Sequence, residues 1–212
     1  MRIKRGTLPT ALGLVLIAGA LALSGYNLRS ATQAETASVQ AVAQLEQLRP
    51  EPKPRIDAAS LVSIPDMELP DYVLCPEMEM PEKLLNGRAY IGTLEIPALA
   101  LELPVISRWS YPAFQVSPCR YQGSAYTDDL ILAAHNYPAH FGRIKELNVG
   151  DRLSFTDMDG NVFSYQVVAR EILEPEDVEA MEAGGYALTL FTCTLGGQHR
   201  VTVRCDRAPA EV

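Results

Sequence analysis

The hydrophobic and polar positions of this 212-residue chain change their pattern twice, near residue 29 and again near residue 88. The apolar run 11–23 lies inside an uncharged stretch that extends from Gly6 to Leu28. About 20 helical residues cross the ~30 Å hydrocarbon layer of a bilayer. The pattern therefore predicts that residues 1–28 form a cytoplasmic basic tip followed by a transmembrane signal anchor.

Charge around the apolar run predicts its orientation. Arg2, Lys4 and Arg5 precede the run, and only Arg29 follows it closely. This asymmetry favours a single-pass helix with its N-terminus inside the cell and the rest of the chain outside. The alternative is a cleaved signal peptide, because the small residues around Leu23 offer a plausible cleavage site. Both interpretations place the later residues outside the cytoplasm.

Residues 29–88 show no pattern of a folded domain. The segment 30–49 is rich in Ala, Gln and Glu, and its apolar residues recur at helical spacing, which predicts a short juxtamembrane helix. Seven prolines then follow up to Pro81, and the segment 66–82 holds six acidic residues and no basic one. We interpret this part as a semi-extended, proline-rich acidic tether.

Residues 89–212 change to short apolar stretches separated by turns, which is typical of a compact β domain. Asp159-Gly160 is a tight-turn signal, and the segment 175–181 suits a short helix. About seven strands in ~120 residues predict a closed barrel or a sandwich. The predicted strands are 89–96, 99–106, 130–135, 152–157, 162–172, 187–193 and 200–206.

Composition and charge narrow the function classes. Hydrophobic residues make up 48% of the chain, enough to fill a core, and the formal net charge is −8. This acidic balance argues against a nucleic-acid partner. Asp157, Asp159 and Asn161 begin a calcium-loop spacing, but the distal acid is misplaced. No tight pair anchors a zinc site, so we predict no metal and no cofactor. The residues that could ligate zinc by type are Cys119, His135, His140, His199 and Cys205.

Cys193 and Arg200 are the first candidates for chemistry. Cys193 ends one apolar strand and Arg200 begins the next, so an antiparallel hairpin places both at the same end of the sheet. A guanidinium beside a thiol stabilises the thiolate, and it can also donate to an oxyanion. The alternative is a half-buried strand cysteine followed by a solvated arginine.

His135 is the third candidate, at the end of the predicted strand 130–135. Small residues before it leave room for a ligand, and catalytic groups are often built where strands open into loops. Catalysis by a thiol needs a proton donor for the leaving amine, and histidine titrates near neutrality. A surface histidine at a strand exit is the alternative, so the three residues are informative only together.

Together these residues resemble the sortase family. The stretch Thr189-Leu190-Phe191-Thr192-Cys193 matches the family's Thr-Leu-x-Thr-Cys signature, and Arg200 stands where the family keeps its arginine. Ala133-Ala134-His135-Asn136 is similar to the family's small-small-His segment. The resemblance covers about residues 90–206. It implies an all-β domain at 89–212, a sortase-type eight-stranded β-barrel with short helices, preceded by the N-terminal transmembrane helix.

The resemblance also implies a cysteine transpeptidase, and thus a thiol endopeptidase, on a Gram-positive cell surface. Cys193 attacks a C-terminal sorting signal of a surface protein and forms a thioacyl-enzyme. His135 protonates the departing amine and later deprotonates the incoming one, and Arg200 holds the oxyanion. Thr192 resembles a family position that lines the site for substrate, although strand alternation points its side chain away from Cys193. The implied acceptor is an amine of a peptidoglycan precursor or a pilin lysine.

Several alternatives stay open at this point. Compact loops resemble class B or class D sortases more than the long calcium-binding type, and the Asp-Pro-aromatic lid of pilin-polymerising members is absent. An L,D-transpeptidase also uses Cys and His, but its Ser-His-Gly-Cys signature is missing. A non-catalytic anchored binding module is a further alternative. The segment 66–73 is either a spacer or a lid over the groove, and Cys75 and Cys119 are candidates for a disulfide.

Overall fold

The computed structural model describes residues 7–51, 69–183 and 185–208. The predicted basic tip and most of the acidic tether lie outside these residues. The helices are α1 (Thr7–Leu48), α2 (Asp71–Leu74), α3 (Tyr111–Phe114) and α4 (Val178–Glu182). The strands are β1 (Lys83–Leu85), β2 (Arg88–Ile96), β3 (Leu101–Ile106), β4 (Cys119–Gln122), β5 (Leu130–Ala133), β6 (Arg152–Asp157), β7 (Val162–Leu173), β8 (Leu188–Cys193) and β9 (Arg200–Arg207).

Eight of these strands close into a barrel. Neighbouring strands follow the order β2-β3-β4-β5-β8-β9-β7-β6, and β6 pairs with β2 to complete the ring. Strand β1 lies outside the ring as a hairpin partner of β2. Its turn uses Asn86 and Gly87, both with positive φ, as a two-residue hairpin requires. The predicted eight-stranded β-barrel with short helices is confirmed.

Side chains from alternate positions of the strands fill the interior of the barrel. Side chains from alternate positions point inward, and large apolar ones from most strands are fully buried there. Each of these side chains removes most of its apolar surface from water, which stabilises the fold by about 1.5–3 kcal/mol apiece. Examples with no exposed surface are Leu94, Leu132, Phe155, Tyr165 and Val203.

Two strands were not predicted from the sequence. Strand β1 has three residues, and β4 exposes two of its four side chains, so neither has the alternation that marks a half-buried strand. Strand β4 pairs with β3 only through Ile106 and Cys119. It nevertheless joins β3 to β5 and so completes the barrel wall.

Helix α1 is a single helix of 42 residues, so the predicted membrane run and the predicted juxtamembrane helix are continuous. The helix is long and apolar enough to cross a membrane by length and composition. Its two halves differ in burial. Apolar side chains before Arg29 are exposed, whereas after it one stripe at helical spacing is buried, namely Ala34, Ser38, Ala41, Val42 and Leu45.

The second half of α1 packs on the outside of the barrel. Ser38 meets His140, in the loop that follows β5, and Arg49 donates to the Thr93 hydroxyl at 2.8 Å. A Cβ on Gly160, in the turn between β6 and β7, would lie 2.9 Å from the Glu51 carbonyl oxygen. The helix therefore runs from the end of the barrel where β5 finishes to the opposite end.

The last part of the tether also packs on the barrel. Tyr72 stacks on Tyr126 with ring centroids 4.7 Å apart, and Met80 is buried in the main core. Tyr126 precedes β5, so this contact lies at the end of the barrel where β5 begins. Within the candidate lid at 66–73, the described residues thus lie away from the end of β8. The domain boundary at residue 89 stays a prediction.

Candidate active site

Strand register brings His135 beside Cys193. Strands β5 and β8 run in parallel, and Ala133 pairs with Phe191. The pairing continues past the strand end, because the Ala134 amide donates to the Phe191 carbonyl at 3.3 Å. The Asn136 side-chain amide then donates to the Thr194 carbonyl at 3.4 Å. His135 follows Ala133 by two residues, and Cys193 follows Phe191 by two residues. The two side chains are therefore neighbours on the same face of the sheet.

Arg200 lies on the other side of Cys193. The two residues are direct partners in the antiparallel pair of β8 and β9. Partners of this kind have Cβ atoms about 4.5–5.5 Å apart. Both side chains border one cavity of about 270 Å³. In this structure the Arg200 guanidinium donates to the carbonyls of Gly197 and His199, which fixes it over the turn that joins the strands.

Thr192 is placed differently from its neighbour. Its side chain is only 3% exposed, and its hydroxyl donates to the Ala134 carbonyl at 2.7 Å. This bond ties β8 to the residue that precedes His135. Thr192 also borders a second cavity beside Cys193. The observed role is to hold β5 and β8 in register, and direct contact with substrate stays a prediction.

The surroundings of His135 are aromatic. Its ring stacks on Tyr137 with centroids 4.1 Å apart and an interplanar angle of 11°, and Phe114 lies 5.6 Å away. Burial lowers the pKa of His135, and a hydrogen bond with the Asn136 side chain opposes this shift. Within the described part of the chain, its Nδ1 atom has no hydrogen-bond partner. The imidazole is therefore neutral near pH 7 and free to accept a proton.

A tight loop fixes the orientation of His135. The Phe141 amide donates to the His135 carbonyl at 3.2 Å, and the Gly142 amide donates to the Tyr137 carbonyl at 2.9 Å. A Cβ on Gly142 would lie 2.4 Å from the Asn136 carbonyl oxygen. Only glycine allows the two arms of the loop to approach this closely.

The same loop carries a second histidine, for which the sequence suggested a role only as a candidate zinc ligand. His140 has no exposed surface, and the Ser38 hydroxyl of α1 lies 3.3 Å from its Nε2 atom. Burial lowers the pKa of His140 to about 4, so the ring is neutral. Tyr137 lies between the rings of His135 and His140. Helix α1 therefore contacts the loop that presents His135.

The other cysteines have different environments. Cys119 and Cys205 have no exposed surface, and burial raises the pKa of each thiol to about 12. Cys75 is exposed, and all four cysteines are free, so the candidate disulfide between Cys75 and Cys119 is not present. Cys193 is the cysteine that borders the cavities described above. No group of three or more potential metal ligands occurs within residues 7–51, 69–183 and 185–208.

Comparison with known proteins is consistent with this geometry. Residues 94–208, more than half of the chain, match the model of the sortase domain. A search of curated proteins gives no match.

Several solved sortase structures have a similar fold. Sortase C1 from Streptococcus agalactiae is 24% identical with a TM-score of 0.54, over 74% of this chain and 79% of the other. Sortase C from Clostridium perfringens is 22% identical with a TM-score of 0.51, over 68% and 77%. The Clostridium perfringens Sortase D5 transpeptidase is 18% identical with a TM-score of 0.52, over 66% and 88%. These likenesses concern the fold, and the domain match shows the family: the chain belongs to the sortases.

Proposed function

We propose that this sortase is a membrane-anchored cysteine transpeptidase that cleaves a sorting signal and transfers the acyl part to an amine. The observation that carries the proposal is the placement of Cys193 between His135 and Arg200, on one face and at one end of the barrel. A thiol nucleophile, a neutral base and a fixed cation are the groups that acyl transfer through a thioester requires.

In the first half-reaction, the Cys193 sulfur attacks the carbonyl carbon of the scissile peptide bond. His135 accepts the thiol proton, which its neutral imidazole allows. The tetrahedral oxyanion then collapses, the C–N bond breaks and the C–S bond remains. The same proton passes from His135 to the departing amine, so the leaving fragment is neutral at nitrogen and the enzyme is acylated.

In the second half-reaction, an amine attacks the thioester carbon while His135 accepts its proton. The new C–N bond forms, the C–S bond breaks, and the proton returns to the sulfur of Cys193. In both tetrahedral states the negative oxygen needs a donor, and Arg200 borders the same cavity as the sulfur. Preorganised donors of this kind typically contribute ~10²- to 10³-fold in rate.

Helix α1 supports a single-pass anchor with the barrel outside the cell. The exposed apolar half of the helix ends near Arg29, and contact with the barrel begins within about two turns of that point. The helix leaves the barrel at the end where His140 and the catalytic residues lie. In this proposal the active site is on the membrane side, where a sorting signal next to its own anchor is accessible.

The test is to capture the acyl-enzyme. The full chain in detergent is incubated with pooled Leu-Pro-x-Thr-x and Asn-Pro-x-Thr-x peptides and analysed by intact mass spectrometry. We expect one mass increase equal to an N-terminal peptide fragment, removed by a small amine. Cys193→Ala should show no increase, and Cys75→Ala, which changes an exposed thiol, should behave as the unmodified chain. An adduct that persists in Cys193→Ala would refute the proposal.

A further inference from the structure

The active site lies at one end of a row of side chains on the hairpin of β8 and β9. Alternate residues of a strand share a face, so the face that carries Cys193 holds three cross-strand pairs. These pairs are Cys193 with Arg200, Phe191 with Thr202 and Thr189 with Arg204. Arg204 is four residues from Arg200, about 13 Å along the strand at ~3.3 Å per residue. Thr202 lies between them, and its hydroxyl donates to the Met181 sulfur of α4 at 3.8 Å. Helix α4 therefore covers this face.

Helix α4 and the residues before it form one wall of the cavity of about 270 Å³ beside Cys193. The wall residues are Glu174, Pro175, Asp177, Val178 and Met181. Helix α4 has five residues, and a helix this short is not stable by itself in water. Its first turn is capped from within, since the Asp177 carboxylate accepts a hydrogen bond from the Ala180 amide at 3.2 Å. The position of this wall over the barrel therefore depends on contacts with the strands.

Arg204 supplies such contacts at the far end of α4. Its Nη1 atom donates to the Met181 carbonyl at 2.7 Å, and its Nη2 atom donates to the Ala180 carbonyl. Both carbonyls belong to the last turn of α4, where carbonyls have no partner inside a helix. Hydrogen bonds from a cation are roughly twice as strong as neutral ones. Within the described residues, Arg204 and Thr202 make the hydrogen bonds that join α4 to the barrel strands.

The Arg204 guanidinium is itself held from several sides, and the side chain is only 2% exposed. Its Nε atom forms an ion pair with the Glu171 carboxylate of β7 at 3.1 Å, and its Nη1 atom also donates to the Thr189 hydroxyl of β8 at 3.1 Å. The Tyr186 ring, which follows α4 in the chain, has its centre 5.2 Å from the guanidinium carbon. One planar side chain thus fixes two carbonyls of α4 against β7, β8 and β9.

We infer that Arg204 is a positioning residue, which holds α4 as the wall of the cavity beside Cys193 and thereby sets the affinity for the peptide donor. It acts through α4, because Arg204 does not border the cavity. The inference rests on the proposed function, in which the cavity shared by Cys193 and Arg200 receives the donor carbonyl. Without the guanidinium, α4 is in place for only part of the time, and the affinity for the donor falls by that fraction. Cys193 and Arg200 belong to the strands, so their reactivity does not depend on α4.

The experiment separates binding from reactivity at Cys193. The full chain in detergent is treated with a Leu-Pro-x-Thr peptidyl chloromethyl ketone over a range of concentrations, which gives the half-saturating concentration KI and the maximal rate kinact. Iodoacetamide, which is too small to need the wall, measures the reactivity of the Cys193 thiol alone, and peptide mapping identifies the modified residue. We expect Arg204→Met to raise KI about tenfold, as for a wall that is in place about a tenth of the time, while kinact and the iodoacetamide rate stay within about twofold.

Arg207→Met is the matched control, because Arg207 lies on the same strand and pairs with Asp128, at the other end of the barrel from Cys193. It should lower Tm and leave KI unchanged. Arg204→Lys keeps the charge but offers one ammonium in place of the planar donors, so it should raise KI by a smaller factor, and it replaces the methionine variant if that one does not fold.

An unchanged KI in a folded Arg204 variant, or an equal rise in Arg207→Met, would overturn the inference while the reaction of Cys193 in the unmodified chain stays normal. Failure of Cys193 to react with the peptidyl reagent in the unmodified chain would overturn the proposed function and the inference together.

Discussion

The two ends of the barrel differ in how their ionisable side chains are held. At the end where β5 begins, the Asp157 carboxylate is fully buried and accepts 2.7 Å hydrogen bonds from the Tyr126 hydroxyl and the Asn161 side chain. It also accepts bonds from the amides of Asp159 and Asn161. Every acceptor position of this carboxylate is thus in use.

Aromatic packing closes the same end. Tyr72 stacks on Tyr126, and the Arg207 guanidinium lies 4.7 Å from the centre of the Phe163 ring. Arg207 also contacts Asp128. The carboxylate and the guanidinium at this end are therefore paired, as expected for a part of the molecule that contributes stability.

The catalytic end is different. His135 has a buried Nδ1 atom without a partner among the described residues, and Cys193 borders two cavities. Unpaired polar groups beside free volume cost stability, and proteins keep them where chemistry needs them. The difference between the ends separates residues that act in catalysis from residues that hold the barrel closed. Five changes test that separation.

The largest effect is expected at the nucleophile. Cys193→Ala removes the atom that forms the thioester, so cleavage and transfer should both disappear. The free energy of unfolding should change little, because the side chain is only partly buried and lies at a strand end. Peptide turnover and urea unfolding are measured together. Turnover that persists in this variant would show that Cys193 is not the nucleophile.

Arg200→Lys should lower kcat/KM by about 10²- to 10³-fold, the usual loss for one oxyanion donor. Lysine keeps the charge but lacks the planar set of donors, of which Nη1 contacts the carbonyls of Gly197 and His199 here. Steady-state cleavage of a peptide donor measures the effect. A lysine variant with nearly normal kinetics would mean that Arg200 contributes charge alone.

Asp157→Ala should show the reverse pattern at the opposite end. Removing the carboxylate leaves two side chains and two backbone amides without their acceptor, which we expect to destabilise the fold by about 3 kcal/mol. The kcat/KM of the remaining folded protein at low temperature should stay within about twofold. Urea unfolding and peptide cleavage are measured on the same sample. A large loss of kcat/KM in folded protein would contradict the view that Asp157 contributes to stability and not to catalysis.

The dependence of stability on pH tests whether His140 is buried between α1 and the loop that follows β5. The folded pKa of His140, about 4, is below the unfolded value of 6.5, so the stabilisation is present above pH 6.5 and is lost as the pH falls toward 4. Between pH 7 and pH 5 this amounts to about 2 kcal/mol. His140→Gln should therefore have a flatter dependence of stability on pH over that range. Parallel curves for the two proteins would show that His140 is not buried as described.

The smallest effect is expected at Tyr72. Tyr72→Ala removes the stacking on Tyr126 and should destabilise the fold by about 1 kcal/mol. Because Tyr72 lies at the end away from Cys193, the KM for a peptide donor should not change. A tenfold lower KM would indicate that this segment competes with substrate, which is the lid alternative.

Much of this arrangement could be predicted from the sequence because it depends on local patterns. Alternation along 188–193 and the position of Arg200 after a short loop were enough to place Cys193 and Arg200 at one end of a hairpin. His135 was a candidate because it ends a predicted strand, and the resemblance to a family motif supported it. The parallel register between β5 and β8 that joins it to Cys193 has no local signal, since the two strands are far apart in the chain.

Contacts across long separations were missed for the same reason. Ser38 and His140 are 102 residues apart, and each is unremarkable in its own segment. A polar position on the apolar stripe of α1 was the one available signal, because a buried serine needs a partner. The packing of Tyr72 likewise depends on an aromatic surface that exists only after the barrel has closed.

Labelling of the thiols tests the central claim most directly. The full, folded chain is treated with a Leu-Pro-x-Thr peptidyl chloromethyl ketone, and the modified residue is identified by peptide mapping while its rate is followed. We predict that Cys193 reacts far faster than the exposed Cys75, and that His135→Ala or Arg200→Ala slows this reaction strongly. Equal labelling of Cys75 and Cys193, or a Cys193 rate unchanged by either substitution, would contradict the claim.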